Sequence, residues 1–191
     1  VLMNGRPLAI PGVVEAVPAV VEGWHAGSQA GHAIADVLFG DYNPSGKLPM
    51  SFPRHVGQLP FAYNHKNTGR PGPSPLVFWS HYTDAPNDAL FPFGFGLSYT
   101  TFALSDLKLA AEAVAAGGSV GVEVTVRNTG PRAGEEVVQL YVSDLAASVT
   151  RPVKQLRAFQ RVGLEPGQSR TLRFSLGPRD LGLLDGRLKW V

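Results

Sequence analysis

The feature that most constrains this chain is a strict two-residue alternation in its second half. Val120, Val122, Val124 and Val126 alternate with polar residues, as do Val138, Leu140 and Val142, and then Leu172, Phe174 and Leu176. Successive side chains of a strand point to opposite faces, so each run buries one face and leaves the other to water. Turn signals separate the runs, NTGPRAG at 128–134 and EPGQ at 165–168. Several short strands with no helix between them predict an antiparallel sandwich beginning near Tyr99.

The first half has a different texture. From Gly12 to Phe39 the pattern is helical, with Val13, Val14, Val17, Val20 and Val21 on one apolar stripe. After a break at Ala26-Gly27 a second helix is predicted, with Ser28 as N-cap. Ala30, Ala33, Ile34, Val37 and Leu38 then fall at i, i+3, i+4, i+7 and i+8, and Gly40 supplies the stop. Pro44, Gly46, Pro49 and Pro53 make corners around a short predicted strand at 47–52. This is the helix-to-edge-strand geometry of an α/β layer, so the fold class is α/β followed by all-β.

Between the textures lies a stretch from Ala62 to Leu90, rich in Pro, Asn, Gly and aromatics, which runs into FPFGFGLSYTTF. A connection of that length in a compact chain is either functional or disordered, and the aromatics argue for order. Phe91, Phe93, Phe95, Tyr99 and Phe102 interleave with glycines, which reads as a pinned interdomain strap.

Composition narrows the function. With 191 residues, 44% hydrophobic and 17% charged, the chain can bury a real core. A net charge of +2 from 17 basic and 15 acidic residues is near balance, so nucleic acid is not expected as a partner. The absence of cysteine excludes disulfides, thiolate metal sites and cysteine nucleophiles, and leaves the compartment open. No apolar run is long enough to cross a bilayer as a helix, and no membrane partner is expected. The start, VLMNGRPLAI, carries neither the basic leader nor the cleavage site of a signal peptide, and begins inside an apolar strand fragment. The end, RLKWV, reads as a strand without a return turn or partner. Both ends therefore read as cut and the chain as a segment of a longer protein; the alternative is that it has short terminal strands.

The reactive side chains do not form an obvious centre. Asp36 and Asp41 read as a surface helix acid and a turn residue, or alternatively as a substrate-facing pair. Glu15 and Glu22 lie seven apart on the first predicted helix and read as a solvated face, while Glu135 and Glu136 read as charges guarding a sheet edge. His25, His32, His55, His65 and His81 lack metal-ligand spacing, so no metal is expected. No glycine pattern has the strand-turn-helix context of a phosphate loop, which argues against a nucleotide.

Four separated stretches carry a family resemblance. VLMNGRPLAI, GSQAGHAIADVLFGDYNPSGKLPMSFP, ALFPFGFGLSYTTF and RPVKQLRAF, in that order, resemble the C-terminal portion of family 3 glycoside hydrolases, especially the periplasmic β-glucosidase branch. The resemblance implies that residues 1–62 are the last part of an α/β sandwich domain and 63–98 the long aromatic loop and strap. Residues 99–191 would be a fibronectin type III-like domain truncated at its C-terminal end. It further implies a retaining mechanism in which one carboxylate is the nucleophile and a second carboxyl the acid/base. Both would lie upstream, the nucleophile on a barrel domain that would be this segment's partner. On that reading no residue here is catalytic, no cofactor is needed and the isolated segment is inactive. The substrate would be a β-linked oligosaccharide or glycoside, the location periplasmic or secreted, and a homodimer is a further possibility.

Within the loop, Trp79, His81, Tyr82 and Asp84 of VFWSHYTDAP combine flat faces with hydrogen-bonding groups, which is what a sugar ring and its hydroxyls require. These four are the candidate substrate-binding residues; the alternative is that Phe78 and Trp79 staple two domains together. The family usually carries arginine at the position of His81 and an acidic residue near Gln29, so this sequence departs from it at both points. A non-catalytic carbohydrate-binding module and a purely structural interface module stand as the alternatives to the hydrolase reading.

Overall fold

The computed structural model describes residues 1–3, 5–70, 72–75 and 78–191, arranged as two compact units. The first comprises Val1–Tyr42 and Gly46–Gly96, the second Asn43–Ser45 and Leu97–Val191.

In the first unit β1 (Leu2–Met3) and β2 (Val21–Glu22) pair in parallel, Leu2 opposite Val21 and Met3 opposite Glu22. Parallel neighbours need a crossover, and α1 (Pro11–Ala16) provides it. Pro11 stands at the helix start, where a missing N–H is harmless. The helix is shorter than the apolar stripe predicts. Pro18 would remove a hydrogen bond and clash with the preceding turn, and it forces Val17 to extended angles, φ −133° and ψ 144°. Val21 and Glu22 therefore belong to a strand, and Glu22 shares no helix face with Glu15; its Oε1 accepts the Trp24 N–H at 2.8 Å.

The second helix, α2 (Ala30–Phe39), is where the periodicity places it, and Gly40 closes it in the left-handed region at φ 87°. Its N-cap is Gln29 rather than Ser28, with no side-chain cap. A turn in which the Ala30 N–H bonds to the Gly27 carbonyl at 3.0 Å leads into the helix and takes Ser28 out of the cap position. The carbonyl of Asp36 accepts the N–H groups of Gly40 and Tyr42, at 3.1 and 3.0 Å, and the residue itself is exposed, as is Asp41. Residues 47–52 form no regular strand: only Phe52 bridges, antiparallel to Phe91. The prolines at 49 and 53 cannot donate to a ladder, so the segment is held by scattered bonds. These run from Leu48 N–H to Phe95 O, Gly94 N–H to Leu48 O and Leu90 N–H to Phe52 O, at 2.8 to 2.9 Å.

In the second unit five strands form two antiparallel sheets. β3 (Phe102–Leu109), β4 (Val120–Asn128) and β7 (Ser169–Leu176) lie in the order β3-β4-β7, and β5 (Gly134–Val142) pairs with β6 (Gln155–Leu164). The alternating residues face each other across the sheets: Val124 and Val126 of β4, Val138 of β5, Val162 and Leu164 of β6 and Leu172 of β7 form one buried cluster. Val120, Val122 and Leu176 form a second, against Leu140 and Val142. β3 adds little to this core. Leu104 and Leu109 stand level with the buried Val126 and Val122 across the ladder, yet are 59% and 60% exposed. After the short helix α3 (Pro178–Leu181), the end of the chain turns back on itself. Leu184 bridges Trp190, and Leu183 and Val191 exchange both backbone hydrogen bonds at 2.8 Å, so RLKWV has a partner that the sequence reading did not give it.

Two asparagines that read as turn residues bind this unit from inside. Asn128 is fully buried; its Oδ1 accepts from the Thr100 hydroxyl and the Gly130 N–H, and its Nδ2 donates to the carbonyls of Arg132 and Leu164. Asn43 accepts from the Ser98 hydroxyl and the Tyr99 N–H and donates to the Ala133 carbonyl, at 2.8 to 3.0 Å. Nearby Arg161 donates to Ser45 Oγ at 2.8 Å and pairs with Glu135. The RPVKQLRAF stretch joins the start of β6 to the end of β5. Arg151 lies 3.4 Å from Asp144, Arg157 donates to Gln155 Oε1 at 2.7 Å, and Lys154 sits 5.3 Å above the Tyr141 ring.

Candidate functional site

The long loop belongs to the first unit and is built on aromatic contacts. Phe52 meets Trp24 and Phe91 edge to face, at 6.1 and 6.2 Å between ring centres, and Phe91 stacks on Phe95 at 5.1 Å. Tyr63 stacks on Phe93 at 4.0 Å. These contacts anchor both ends of the loop within its own unit. Tyr99 and Phe102 fall in the second unit.

Two of the four candidate residues come together directly. The Trp79 indole and the His81 ring are stacked, centres 4.3 Å apart and planes 20° from parallel. His81 Nδ1 lies 2.7 Å from the Trp79 carbonyl; a carbonyl only accepts, so Nδ1 carries the proton and Nε2 is left as the ring's acceptor. Gly72 backs the indole so closely that a Cβ there would lie 1.9 Å from Trp79 Cε3, which makes a side chain at this position incompatible with the packing. Trp79 is half-buried in consequence, whereas Phe78 beside it is 76% exposed.

Tyr82 is linked to this pair through Asn87. The Asn87 side chain accepts the Tyr82 N–H at 3.0 Å and donates to the Ser80 carbonyl at 2.7 Å, folding residues 80–87 into a compact turn. The Tyr82 ring is 39% exposed and meets His55 edge to face, 5.1 Å between centres at 85°, while its hydroxyl donates to the Gly57 carbonyl at 3.4 Å. Asp84 is exposed and is not drawn into the cluster by any hydrogen bond or ion pair with the described residues.

Beneath the turn lie residues that sequence reasoning passed over. Gln58 is 2% exposed, accepts the Arg54 N–H at 2.6 Å and donates to the carbonyls of Pro86 and Asp88 at 3.1 and 3.3 Å. Arg54 pairs with Asp88 at 2.7 Å, and its hydrogen bond holds the Asp88 carboxyl below the ordinary value of 3.8. Nothing local in PRHVGQ marks these roles, since the partners Pro86 and Asp88 lie 28 to 34 residues away in sequence. Among the described residues no three His, Asp or Glu side chains converge to hold a metal ion.

Comparison with known proteins places this geometry. The model of the glycosyl hydrolase family 3 C-terminal domain matches residues 1–99, and that of the fibronectin type III-like domain matches residues 136–191. The chain belongs to glycosyl hydrolase family 3. Among curated proteins, it is 50% identical over 192 residues to a periplasmic beta-glucosidase of Salmonella typhimurium and 46% identical over 195 residues to a beta-xylosidase of Formosa agariphila. Both alignments take in all of this chain but only 25% and 26% of the relative, so the chain spans about a quarter of their length. A crystal structure of the beta-glucosidase from Listeria innocua in complex with isofagomine superposes with a TM-score of 0.95 at 41% identity, covering 100% of this chain and 27% of that one. The fold is accordingly an α/β layer followed by a fibronectin type III-like sandwich. β3 and β4 lie outside both matched ranges, yet β4 is the strand that joins β3 to β7.

Proposed function

We propose that this chain is the C-terminal portion of a β-glucosidase-type glycoside hydrolase that releases terminal β-linked sugars by a retaining, two-carboxylate mechanism. The observation that carries the reading is the similarity of the whole chain, in one continuous order, to β-glucosidases and a β-xylosidase at 41–50% identity. Retaining hydrolysis needs a nucleophilic carboxylate and an acid/base carboxyl about 5 Å apart, the acid tuned by burial. Asp36 and Asp41 are exposed, and Glu135 is engaged by Arg161. The catalytic pair belongs to the remainder of the parent chain, with the nucleophile on its barrel domain. Residues 1–62 then close the α/β sandwich that carries the acid/base, 63–98 form its long loop, and 99–191 form the fibronectin type III-like domain. The mechanism requires no cofactor, and the name of the Salmonella relative supports a periplasmic or secreted location.

The part of this segment that meets substrate is the loop bearing Trp79, His81, Tyr82 and Asp84, acting as an outer subsite for the leaving-group side of a β-glycoside. The exposed Tyr82 ring and the His81 Nε2 edge provide the apolar face and the hydrogen bond, Trp79 backs His81, and Asp84, two residues on from Tyr82, adds an exposed carboxylate. In the full-length enzyme Tyr82→Ala and Trp79→Ala should raise KM for a disaccharide or shift leaving-group preference, with kcat nearly unchanged. If both variants keep wild-type kinetics on disaccharide and aryl glucoside, the loop is scaffold and the subsite assignment fails.

A further inference from the structure

Of the four candidate residues of the loop, Trp79 and His81 hold each other, whereas Tyr82 is held by a separate turn. Arg54, His55, Gly57 and Gln58 lie within five positions on and beside the single turn of 3₁₀-helix Val56–Gln58, and all of them touch the arm of the loop from Tyr82 to Asp88. Arg54 takes the Asp88 carboxylate, Gln58 takes the Pro86 and Asp88 carbonyls, Gly57 takes the Tyr82 hydroxyl, and His55 takes the Tyr82 ring. Gln58 is buried and both of its amide atoms are engaged, so the turn and the arm are joined through a desolvated, satisfied contact.

His55 is the member whose chemistry is otherwise unaccounted for. Its Nε2 is buried and has no hydrogen-bond partner among the described residues, an arrangement a structural histidine ordinarily avoids. What the ring does make is a near-perpendicular contact with Tyr82, and an edge against a π face is the geometry in which aromatic rings attract. Tyr82 itself, 39% exposed, keeps surface available to a ligand while its orientation is fixed from below.

We infer that the Arg54–Gln58 turn is a positioning clamp for the loop arm 82–88, and that His55 within it sets the angle at which the Tyr82 ring meets the leaving-group moiety of a β-glycoside. The inference rests on the loop reading given above. It makes His55 a positioning residue, acting only through Tyr82.

The test uses the full-length enzyme carrying this segment, with kcat and KM for a β-linked disaccharide and melting temperature measured for each variant. Tyr82→Ala and His55→Ala should each raise KM by about two- to tenfold, the range set by one aromatic pair, with kcat changed less than about twofold. His55→Phe, which keeps a flat ring, should restore most of the KM, whereas His55→Leu, which fills the volume without one, should not. The double variant His55→Ala/Tyr82→Ala should bind no worse than Tyr82→Ala alone. Should His55→Ala fail to fold, the Phe and Leu variants carry the same comparison. If Tyr82→Ala raises KM while His55→Leu lowers only the melting temperature, the clamp is refuted and the loop reading survives. If Tyr82→Ala leaves KM unchanged, the loop reading falls and the clamp's role falls with it. Additive effects in the double variant also overturn the inference.

Discussion

Replacing Asn128 should be among the most damaging single changes in the second unit, although nothing in the sequence sets this asparagine apart from other turn residues. It is 0% exposed and uses its full capacity of two acceptor and two donor bonds, to Thr100, Gly130, Arg132 and Leu164, at 2.7 to 3.0 Å. Its backbone is equally committed: the N–H bonds to the Gln168 carbonyl and the carbonyl accepts from Gly167. A neutral hydrogen bond contributes about 1 kcal/mol net, and a buried group stripped of its partner costs about 1–3 kcal/mol. The bonds to Thr100 and Leu164 are buried, while Gly130 and Arg132 lie where water can replace part of the loss. Asn128→Ala should therefore destabilise by about 3–5 kcal/mol, a large share of the roughly 5–15 kcal/mol that holds a domain together. Asn128→Asp sharpens the test, since it keeps the acceptor and replaces the amide nitrogen that donates both bonds by one oxygen facing the Arg132 and Leu164 carbonyls. Burial raises the folded-state pKa of such an aspartate above its unfolded value near 4, so its penalty is full at neutral pH and shrinks as pH falls through the folded pKa. Urea denaturation followed by circular dichroism at pH 7 and pH 5 measures both effects. Asn67→Ala, which loses only an exposed bond to the Gly69 N–H, is the control and should cost under about 1 kcal/mol. An Asn128→Ala variant within 1 kcal/mol of the parent, or an Asn128→Asp deficit that does not change with pH, would refute the reasoning.

Two further outcomes can be measured on the same chain. Gly40→Ala places a Cβ on a residue at φ 87° and should lower stability by about 1–2 kcal/mol, read as a fall in the thermal midpoint. Asp88, held below its ordinary value of 3.8 by Arg54, should favour the folded state above that value and lose the contribution as pH falls through its lowered folded pKa. The gain is small because the Asp88 side chain is 67% exposed, and Arg54→Gln should abolish the acid-side difference when melts at pH 3 and pH 6 are compared.

What the sequence determined by itself is the local periodicity and its punctuation. The valines of β4 and the alternating residues of β5 and β7 commit those stretches to strands whatever surrounds them, because a period of two can bury one face only in extended chain. The same holds for α2 and its terminal glycine. The valine stripe predicts a first helix that runs past Pro18, whereas the backbone obeys the proline and ends the helix at Ala16. The candidate loop could be located from its aromatics, and the structure brings Trp79 and His81 into contact as a stacked pair. Tertiary structure alone decided which polar residues carry the fold. Asn43, Gln58, Asn87 and Asn128 are indistinguishable in sequence from turn residues, because an amide's role depends on partners that for Asn43 lie as far as 90 positions away. Hydrogen-bond satisfaction is a property of three-dimensional neighbours, whereas hydrophobic alternation is written along the chain. For the same reason β6, with Arg157 and Arg161 among its residues, has no clean alternation, and becomes a strand through its ladder with β5.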